Sequence, residues 1–192
     1  MRIRKSFRFE GAHIVRNCTS QRCKHNIHGH SYGVEVTIES NQLDKGYMVM
    51  DFMLLDKVKI LVDSFDHSYS LWNMEAGEFK EWIHNNTQRV AEIPVSPSAE
   101  GYALMFFYII DKILKNTVFK NGEGDIKLNS VKVHETSTGF AEAFEEDLKL
   151  VNFDLEDILF SDFIVEEWPS DWWGDLKAGN MYNNPEVEQN LA

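Results

Sequence analysis

The chain has 192 residues with 43% hydrophobic content, which allows one buried core but is short for two full domains. Its formal net charge of −12 argues against general nucleic-acid binding, which needs basic surface to neutralise phosphates. No stretch approaches the roughly 18 apolar residues of a membrane span, and the first residues lack the apolar segment of a signal peptide, so we expect a soluble, cytoplasmic protein without a membrane partner.

Two early segments predict β-strands. Residues 2–9 are rich in aromatic and β-branched side chains and lead into Gly11-Ala12-His13. The segment from His28 to Ile38 alternates with the period of a half-buried strand, which places His28 and His30 on its apolar, inward face. Two imidazoles at positions i and i+2 of a strand point the same way with Cα atoms roughly 6.5 to 7 Å apart, so both rings reach one metal ion.

A third metal ligand is available at the end of the first strand. His13 supplies it if the two strands pair. Three neutral imidazoles with an open fourth position are the arrangement of catalytic zinc, whereas closed structural sites use four ligands and usually several cysteines. The alternative is that His28 and His30 share a strand by chance, but an apolar interior makes two unpaired imidazoles costly.

Two helices are predicted after these strands. The first follows Asp51, a suitable N-cap, and carries apolar residues at spacings of three and four up to Phe65. The second opens at Ser96-Pro97, which resembles an N-cap followed by proline at the first helical position, and its apolar run over residues 103–110 predicts burial nearly all round. Between them, residues 72–95 carry mixed signals and predict a loop with one or two helical turns.

The chain changes character near its end. After a strand predicted over residues 126–135, the segment from residue 141 onward holds 14 acidic residues against two lysines, while the preceding part is formally neutral. We therefore predict a main domain over residues 1–147 and an acidic C-terminal extension over residues 148–192. This extension contains three tryptophans, namely Trp168, Trp172 and Trp173.

Two interpretations of the C-terminal extension stay open. Its acidity is typical of a partly disordered, solubilising segment. Three tryptophans within six residues indicate instead a segment that docks on its own subunit, on a neighbouring subunit or on another protein.

Cys18 and Cys23 are the only cysteines, so a disulfide framework is not expected. Cys23 lies between Arg22 and Lys24, and nearby cations favour a thiolate. A thiol-redox protein built on the two cysteines is one candidate function, although it leaves the histidines unexplained.

Six short motifs occur in the order known from one enzyme family, between about Phe7 and Glu145. The motifs are Phe9-Glu10-Gly11-Ala12-His13, Cys23 before His28-Gly29-His30-Ser31-Tyr32, Met48-Val49-Met50-Asp51-Phe52, Asp66-His67, Pro97-Ser98-Ala99-Glu100 and His134-Glu135-Thr136. With these motifs in this order the chain resembles the 6-pyruvoyltetrahydropterin synthases and 6-carboxytetrahydropterin synthases.

The resemblance implies a tunnelling fold of the α+β class. In this fold an antiparallel sheet carries two helices on one face, and subunits assemble into a barrel, so we expect a homo-oligomer, with a hexamer as the expected size, and active sites between subunits. The family uses Zn²⁺ and no redox coenzyme, and it acts on 7,8-dihydroneopterin triphosphate. The main domain, residues 1–147, is accordingly expected to be a pterin synthase-like catalytic domain.

The resemblance also implies a role for each matching residue. Cys23 matches the catalytic cysteine that acts as a base, and His67, oriented by Asp66, matches the second proton-transfer group. Glu135 matches the carboxylate that grips the amino and ring N–H groups of the pterin. The zinc ligands of the family correspond to His13, His28 and His30.

The expected function is that of a lyase of the 6-carboxytetrahydropterin synthase type, which releases triphosphate and acetaldehyde and serves queuosine and 7-deazaguanine biosynthesis. Two alternatives stay open, a 6-pyruvoyltetrahydropterin synthase and a zinc-binding protein without pterin chemistry. Four residues separate Cys23 from His28, whereas the carboxy branch typically has three and the animal pyruvoyl branch five. The spacing therefore does not assign the branch.

Overall fold

The computed structural model describes residues 1–183, and the end of the predicted extension, residues 184–192, lies outside the described residues. The strands, in chain order, are β1 (Arg2–His13), β2 (His28–Glu39), β3 (Ser68–Trp72), β4 (Val90–Ile93), β5 (Thr117–Val118), β6 (Lys127–His134), β7 (Phe140–Ala143), β8 (Leu159–Phe160) and β9 (Tyr182–Asn183). The helices are α1 (Gln21–His25), α2 (Asp56–Asp63), α3 (Gly77–Asn86), α4 (Ala99–Lys115), α5 (Asp162–Glu166) and α6 (Trp172–Ala178). Within residues 1–183, none of these helices has the length and apolar character to cross a bilayer.

The main sheet has seven strands in the order β7-β6-β2-β1-β3-β4-β8. Its first four members pair antiparallel, and the long β1–β2 hairpin runs from Arg2 opposite Glu39 to His13 opposite His28. Strands β3 and β4 are added in parallel, because β3 pairs with the end of β1 and β4 pairs with β3. The expected α+β class is confirmed, and the sheet is mixed rather than purely antiparallel.

Helices α2 and α4 cover one face of this sheet. Alternate residues of β2 from Tyr32 to Ile38 are buried against them, as the period of two in this segment predicts. Helix α4 contributes eleven buried residues, so it is enclosed nearly all round. This layer of apolar side chains forms the main core and fixes the inner face of the β1–β2 hairpin.

Helix α4 begins two residues later than the sequence indicates. Ala99 is its first residue, and the hydroxyl of Ser98 accepts a hydrogen bond from the Gly101 N–H at 3.2 Å, which makes Ser98 the N-cap. Pro97 therefore precedes the helix, and its carbonyl oxygen is left free to contact His13.

Residues 72–95 contain more regular structure than predicted, namely α3 and β4. Helix α3 packs on the opposite side of the sheet from α4, in a small second core that joins Ile83 to Tyr69 and Leu71. Ile83 is the only fully buried residue of α3, so the amphipathic pattern that would have predicted the helix is weak.

The C-terminal extension packs on its own chain. Strand β8 pairs with β4, and α6 inserts Trp172 and Trp173 into the main core. Trp172 is fully buried, and its carbonyl oxygen accepts a hydrogen bond of 2.7 Å from the Tyr182 hydroxyl. The domain boundary at residue 147 stays a prediction, since the described residues on both sides of it share one core.

We predict that Trp172→Ala lowers the free energy of unfolding by about 3–5 kcal/mol, because it removes a fully buried aromatic side chain and leaves a cavity. Denaturant unfolding at fixed protein concentration measures this loss. Trp82→Ala is the matched control, because Trp82 is 51% exposed, and it should cost about 1 kcal/mol or less. Equal losses in the two variants would contradict the burial of Trp172.

Candidate metal centre and active site

Three histidines converge at the end of the β1–β2 hairpin. The register sets His13 opposite His28, and His30 lies two residues further along β2 on the same face. One nitrogen atom from each ring can be chosen so that all three lie within 4.8 Å of one another, and Nε2 of His13 is 3.1 Å from Nε2 of His28. The structure thus brings the three predicted ligands together, in a cluster that could bind a metal.

Backbone carbonyls orient two of these imidazoles. Nδ1 of His13 lies 2.5 Å from the carbonyl oxygen of Pro97, and Nδ1 of His28 lies 2.9 Å from that of Asn26. A carbonyl oxygen only accepts, so each Nδ1 carries the proton and each Nε2 presents its lone pair to the cluster. Such a contact on the far ring nitrogen is the usual support of a metal-binding histidine, and the residues therefore fit a metal ion.

Burial keeps His13 neutral. Loss of solvent around the ring, together with the neighbouring His28 and His30, lowers the pKa of His13 to about 4, although the Pro97 carbonyl acts in the opposite direction. A neutral imidazole is the form that binds metals. At neutral pH this buried ring is therefore ready to act as a ligand without losing a proton.

Gly29, between the two histidines of β2, is required for steric reasons. A Cβ atom on Gly29 would lie 2.8 Å from the carbonyl oxygen of Gly11 in the facing strand. Any larger residue would push the two strands apart at the position where His13 and His28 meet. The His-Gly-His sequence is thus required by the close approach of the hairpin strands as well as by the ligands.

Glu135 borders the histidine cluster. It follows the last residue of β6, and its Oε1 atom lies 3.9 Å from Nε2 of His13 and 4.0 Å from Nε2 of His30. The side chain is 31% exposed, so the carboxylate faces both the cluster and the solvent-accessible side. Its predicted contact with a pterin stays a prediction.

Cys23 lies on the short helix α1, within the loop that joins the ligand-bearing ends of β1 and β2. Its carbonyl oxygen accepts a hydrogen bond of 3.0 Å from the Val15 N–H, which ties this helix to the residue two positions after His13. Cys18 occupies the same loop, and its thiol donates to the Ser20 carbonyl at 3.3 Å. Both cysteines are free and half-buried.

Asp66 and His67 form a hydrogen-bonded dyad on the turn between α2 and β3. Oδ2 of Asp66 lies 2.8 Å from Nδ1 of His67, while Oδ1 accepts a 2.7 Å hydrogen bond from the Glu10 N–H. The His67 N–H in turn donates to the Glu10 carbonyl at 2.6 Å. Partial burial acts to raise the pKa of Asp66, but the bonds from Glu10 and His67 outweigh it and the pKa is lowered.

The dyad is not part of the histidine cluster. The His67 ring is 75% exposed and lines a cleft of about 530 Å³ that also includes Trp82 and His30. His67 has a left-handed backbone, with φ at 52°, which costs a residue other than glycine about 1–2 kcal/mol. The structure therefore joins the three histidines and Glu135 in one group, and it places the dyad on the wall of a cleft that His30 also lines.

Sequence reasoning missed the groups that orient these residues. The carbonyls of Asn26 and Pro97 and the backbone of Glu10 belong to positions whose side chains carry no chemical signal. Pro97 and Glu10 belong to two of the family motifs, and this membership was the only sequence signal for their roles.

Comparisons with known proteins agree on one family. The sequence model of the family described as 6-pyruvoyl tetrahydropterin synthase matches residues 2–146. A Helicobacter pylori protein named 6-carboxy-5,6,7,8-tetrahydropterin synthase is 47% identical over 154 residues, which cover 80% of this chain and 77% of that protein. A protein of the same name from Aquifex aeolicus is 32% identical over 161 residues, covering 75% of this chain and 98% of its own.

Solved structures share the fold. An uncharacterized protein from Wolinella succinogenes aligns with a TM-score of 0.58 and 20% identity, covering 76% of this chain and 98% of that one. The 6-pyruvoyl tetrahydropterin synthase of Caenorhabditis elegans aligns with a TM-score of 0.51 and 20% identity, covering 75% and 94%. The predicted tunnelling fold is confirmed for the single chain.

We predict that His28→Ala loses most of the bound metal while the protein stays folded, because it removes one of three converging nitrogens. Metal content per chain, measured by plasma mass spectrometry, tests this expectation. His25→Ala is the matched control, since His25 is an exposed histidine of the same loop outside the cluster, and it should keep its metal. Full occupancy in His28→Ala would show that the ligand assignment is wrong.

Proposed function

Because this chain belongs to the 6-pyruvoyl tetrahydropterin synthase family, we propose that it is a zinc-dependent 6-carboxy-5,6,7,8-tetrahydropterin synthase. The proposed reaction converts 7,8-dihydroneopterin triphosphate and water into 6-carboxytetrahydropterin, acetaldehyde and triphosphate. The product would feed queuosine and 7-deazaguanine biosynthesis. Its curated relatives at 46–47% identity carry this enzyme name, which supports the carboxy branch.

One observation carries the proposal, the convergence of three imidazoles beside the carboxylate of Glu135. His13, His28 and His30 would hold the ion and leave it open to substrate, whereas closed structural sites use four ligands and usually several cysteines. A zinc ion there supplies Lewis acidity that lowers the pKa of coordinated hydroxyl groups. A passive zinc module has no need of a carboxylate at this position.

We assign the remaining residues to substrate binding and to proton transfer. Glu135 accepts hydrogen bonds from the amino and ring N–H groups of the pterin, which orients the substrate side chain towards the histidines. Cys23 removes a proton from that side chain as the general base. His67, held in one tautomer by Asp66, transfers the second proton.

The position of the dyad favours an active site shared between subunits. The His67 ring is largely exposed and has no hydrogen bond or ion pair with the histidine cluster in the part of the chain that the structure describes. A homo-oligomer, with a hexamer as the expected form, would bring His67 of one subunit to the Cys23 side of another. In such an oligomer a neighbouring subunit would cover the dyad, which is exposed in the single chain.

A 6-pyruvoyltetrahydropterin synthase is the second candidate, because the four-residue spacing between Cys23 and His28 fits neither branch. That enzyme would eliminate triphosphate and rearrange the side chain without releasing acetaldehyde. A thiol-redox function is disfavoured, because it gives the histidine cluster no role. The Cys18 thiol, moreover, donates a hydrogen bond to the Ser20 carbonyl.

The purified protein, incubated with zinc and 7,8-dihydroneopterin triphosphate, should release triphosphate and acetaldehyde and form 6-carboxytetrahydropterin. Mass spectrometry of the pterin distinguishes this product from the pyruvoyl compound, and zinc analysis should give about one ion per chain. A pyruvoyl product would move the chain to the other branch. Zinc binding without any pterin product would leave only a metal-binding protein.

We predict that Cys23→Ala keeps zinc and pterin binding but loses turnover by about a hundred- to ten-thousand-fold, because it removes the general base. Cys18→Ala is the matched control and should retain most activity, since its thiol is engaged with the Ser20 carbonyl. Paired kinetic and metal assays test both variants. The reverse result would transfer the role to Cys18, and normal rates in both would exclude thiol chemistry.

A further inference from the structure

The turn of residues 63–67, which carries the Asp66–His67 dyad, depends on Arg89 for its backbone contacts. Nε of Arg89 donates to the Asp66 carbonyl at 2.9 Å, and Nη2 donates to the Asp63 carbonyl at 3.0 Å. The planar guanidinium therefore joins the end of α2 to the residue before His67. Its side chain is only 15% exposed, and the bond to the Asp66 carbonyl is partly buried.

The C-terminal extension holds Arg89 in place. The remaining guanidinium nitrogen, Nη1, forms an ion pair with Glu167 at the end of α5. The Ser161 hydroxyl donates to the Gln88 carbonyl at 2.7 Å and accepts from the Val90 N–H at 3.2 Å, so it fixes the backbone on both sides of Arg89.

The extension also contacts the turn directly. The indole N–H of Trp168 donates to the Ser64 hydroxyl at 2.9 Å. The ring of Phe160 packs edge-on against the ring of Phe65, with centroids 5.7 Å apart, and against Trp168 at 5.4 Å. The residues on the extension side of these contacts all lie beyond residue 146, where the match to the family model ends.

We propose that the C-terminal extension is a positioning element for the catalytic dyad, acting through Arg89, Glu167 and Trp168 on the turn of residues 63–67. This proposal rests on the proposed function, in which His67 transfers a proton. A left-handed backbone at a residue other than glycine persists only where its surroundings fix it, and His67 has φ at 52°. The contacts from Arg89 and Trp168 add to the constraint that the Glu10 backbone provides.

The turn itself can be observed without measuring turnover. The His67 amide donates to the Glu10 carbonyl, so its hydrogen exchange reports how often the turn opens. If the extension positions the dyad, loosening its contacts should open this turn and lower kcat. The metal ligands and Glu135 are held by other contacts, so KM and the metal content should stay near their normal values.

Two full-length variants test the proposal. Arg89→Lys keeps the positive charge near Glu167 but loses the fork that bonds two carbonyls, and Trp168→Phe keeps an aromatic ring but loses the donor to Ser64. We expect exchange of residues 63–69 to rise about tenfold or more in Arg89→Lys and kcat to fall about ten- to a hundred-fold. Trp168→Phe should change both in the same direction by less.

The controls separate positioning from a general loss of stability. Glu166→Gln alters the neighbouring carboxylate, which is exposed, and it should leave exchange and kcat unchanged. Leu114→Ala, at the far end of α4, should lower Tm without faster exchange confined to residues 63–69.

Unchanged exchange of residues 63–69 in both variants would overturn the proposal. It would also be overturned if exchange became faster while kcat stayed normal, provided that His67→Ala is inactive. Full turnover in His67→Ala would remove the catalytic role of the dyad and the positioning role with it. That result is a failure of the proposed function, and it is distinguishable because the exchange measurement does not depend on turnover.

Discussion

The register of the β1–β2 hairpin is the constraint on which the metal centre depends. A shift of one residue would turn His28 and His30 to the opposite face and separate them from His13. Two features hold this register, the alternating apolar residues of β2 against α4 and the close approach of Gly29 to the Gly11 carbonyl. The core therefore sets the geometry of the ligands, and a bound metal would in turn stabilise the hairpin end.

Strand β1 connects the two groups of functional residues. Its inward side presents His13 to the buried cluster, while the Glu10 backbone both donates to Asp66 and accepts from the His67 amide. The ligands are fixed by packing in the interior, and the dyad is fixed by hydrogen bonds at a partly exposed turn. This division suits the proposed function, in which substrate binding and proton transfer are assigned to different parts of the chain.

The extension combines an acidic surface with an apolar attachment. Its tryptophans pack in the main core, whereas its carboxylates are mostly exposed, so the segment is anchored by burial and not by its charge. Residues 1–140 are formally neutral, and the whole excess of negative charge lies in residues 141–192, which hold 14 acidic residues against two lysines. The net charge of the part that carries the histidine cluster therefore does not oppose binding of the anionic substrate of the proposed reaction.

The sequence by itself determined the strand that carries His28 and His30, the burial of α4 and the family motifs, because alternation, apolar runs and ordered motifs are local properties of the chain. It did not determine α3, whose single fully buried residue, Ile83, leaves too weak a periodicity. The tertiary structure alone decided that Pro97 and Asn26 orient the ligands and that Arg89 and Trp168 support the dyad turn. These contacts join residues up to 104 positions apart, several through backbone carbonyls common to every residue, so no local pattern could reveal them.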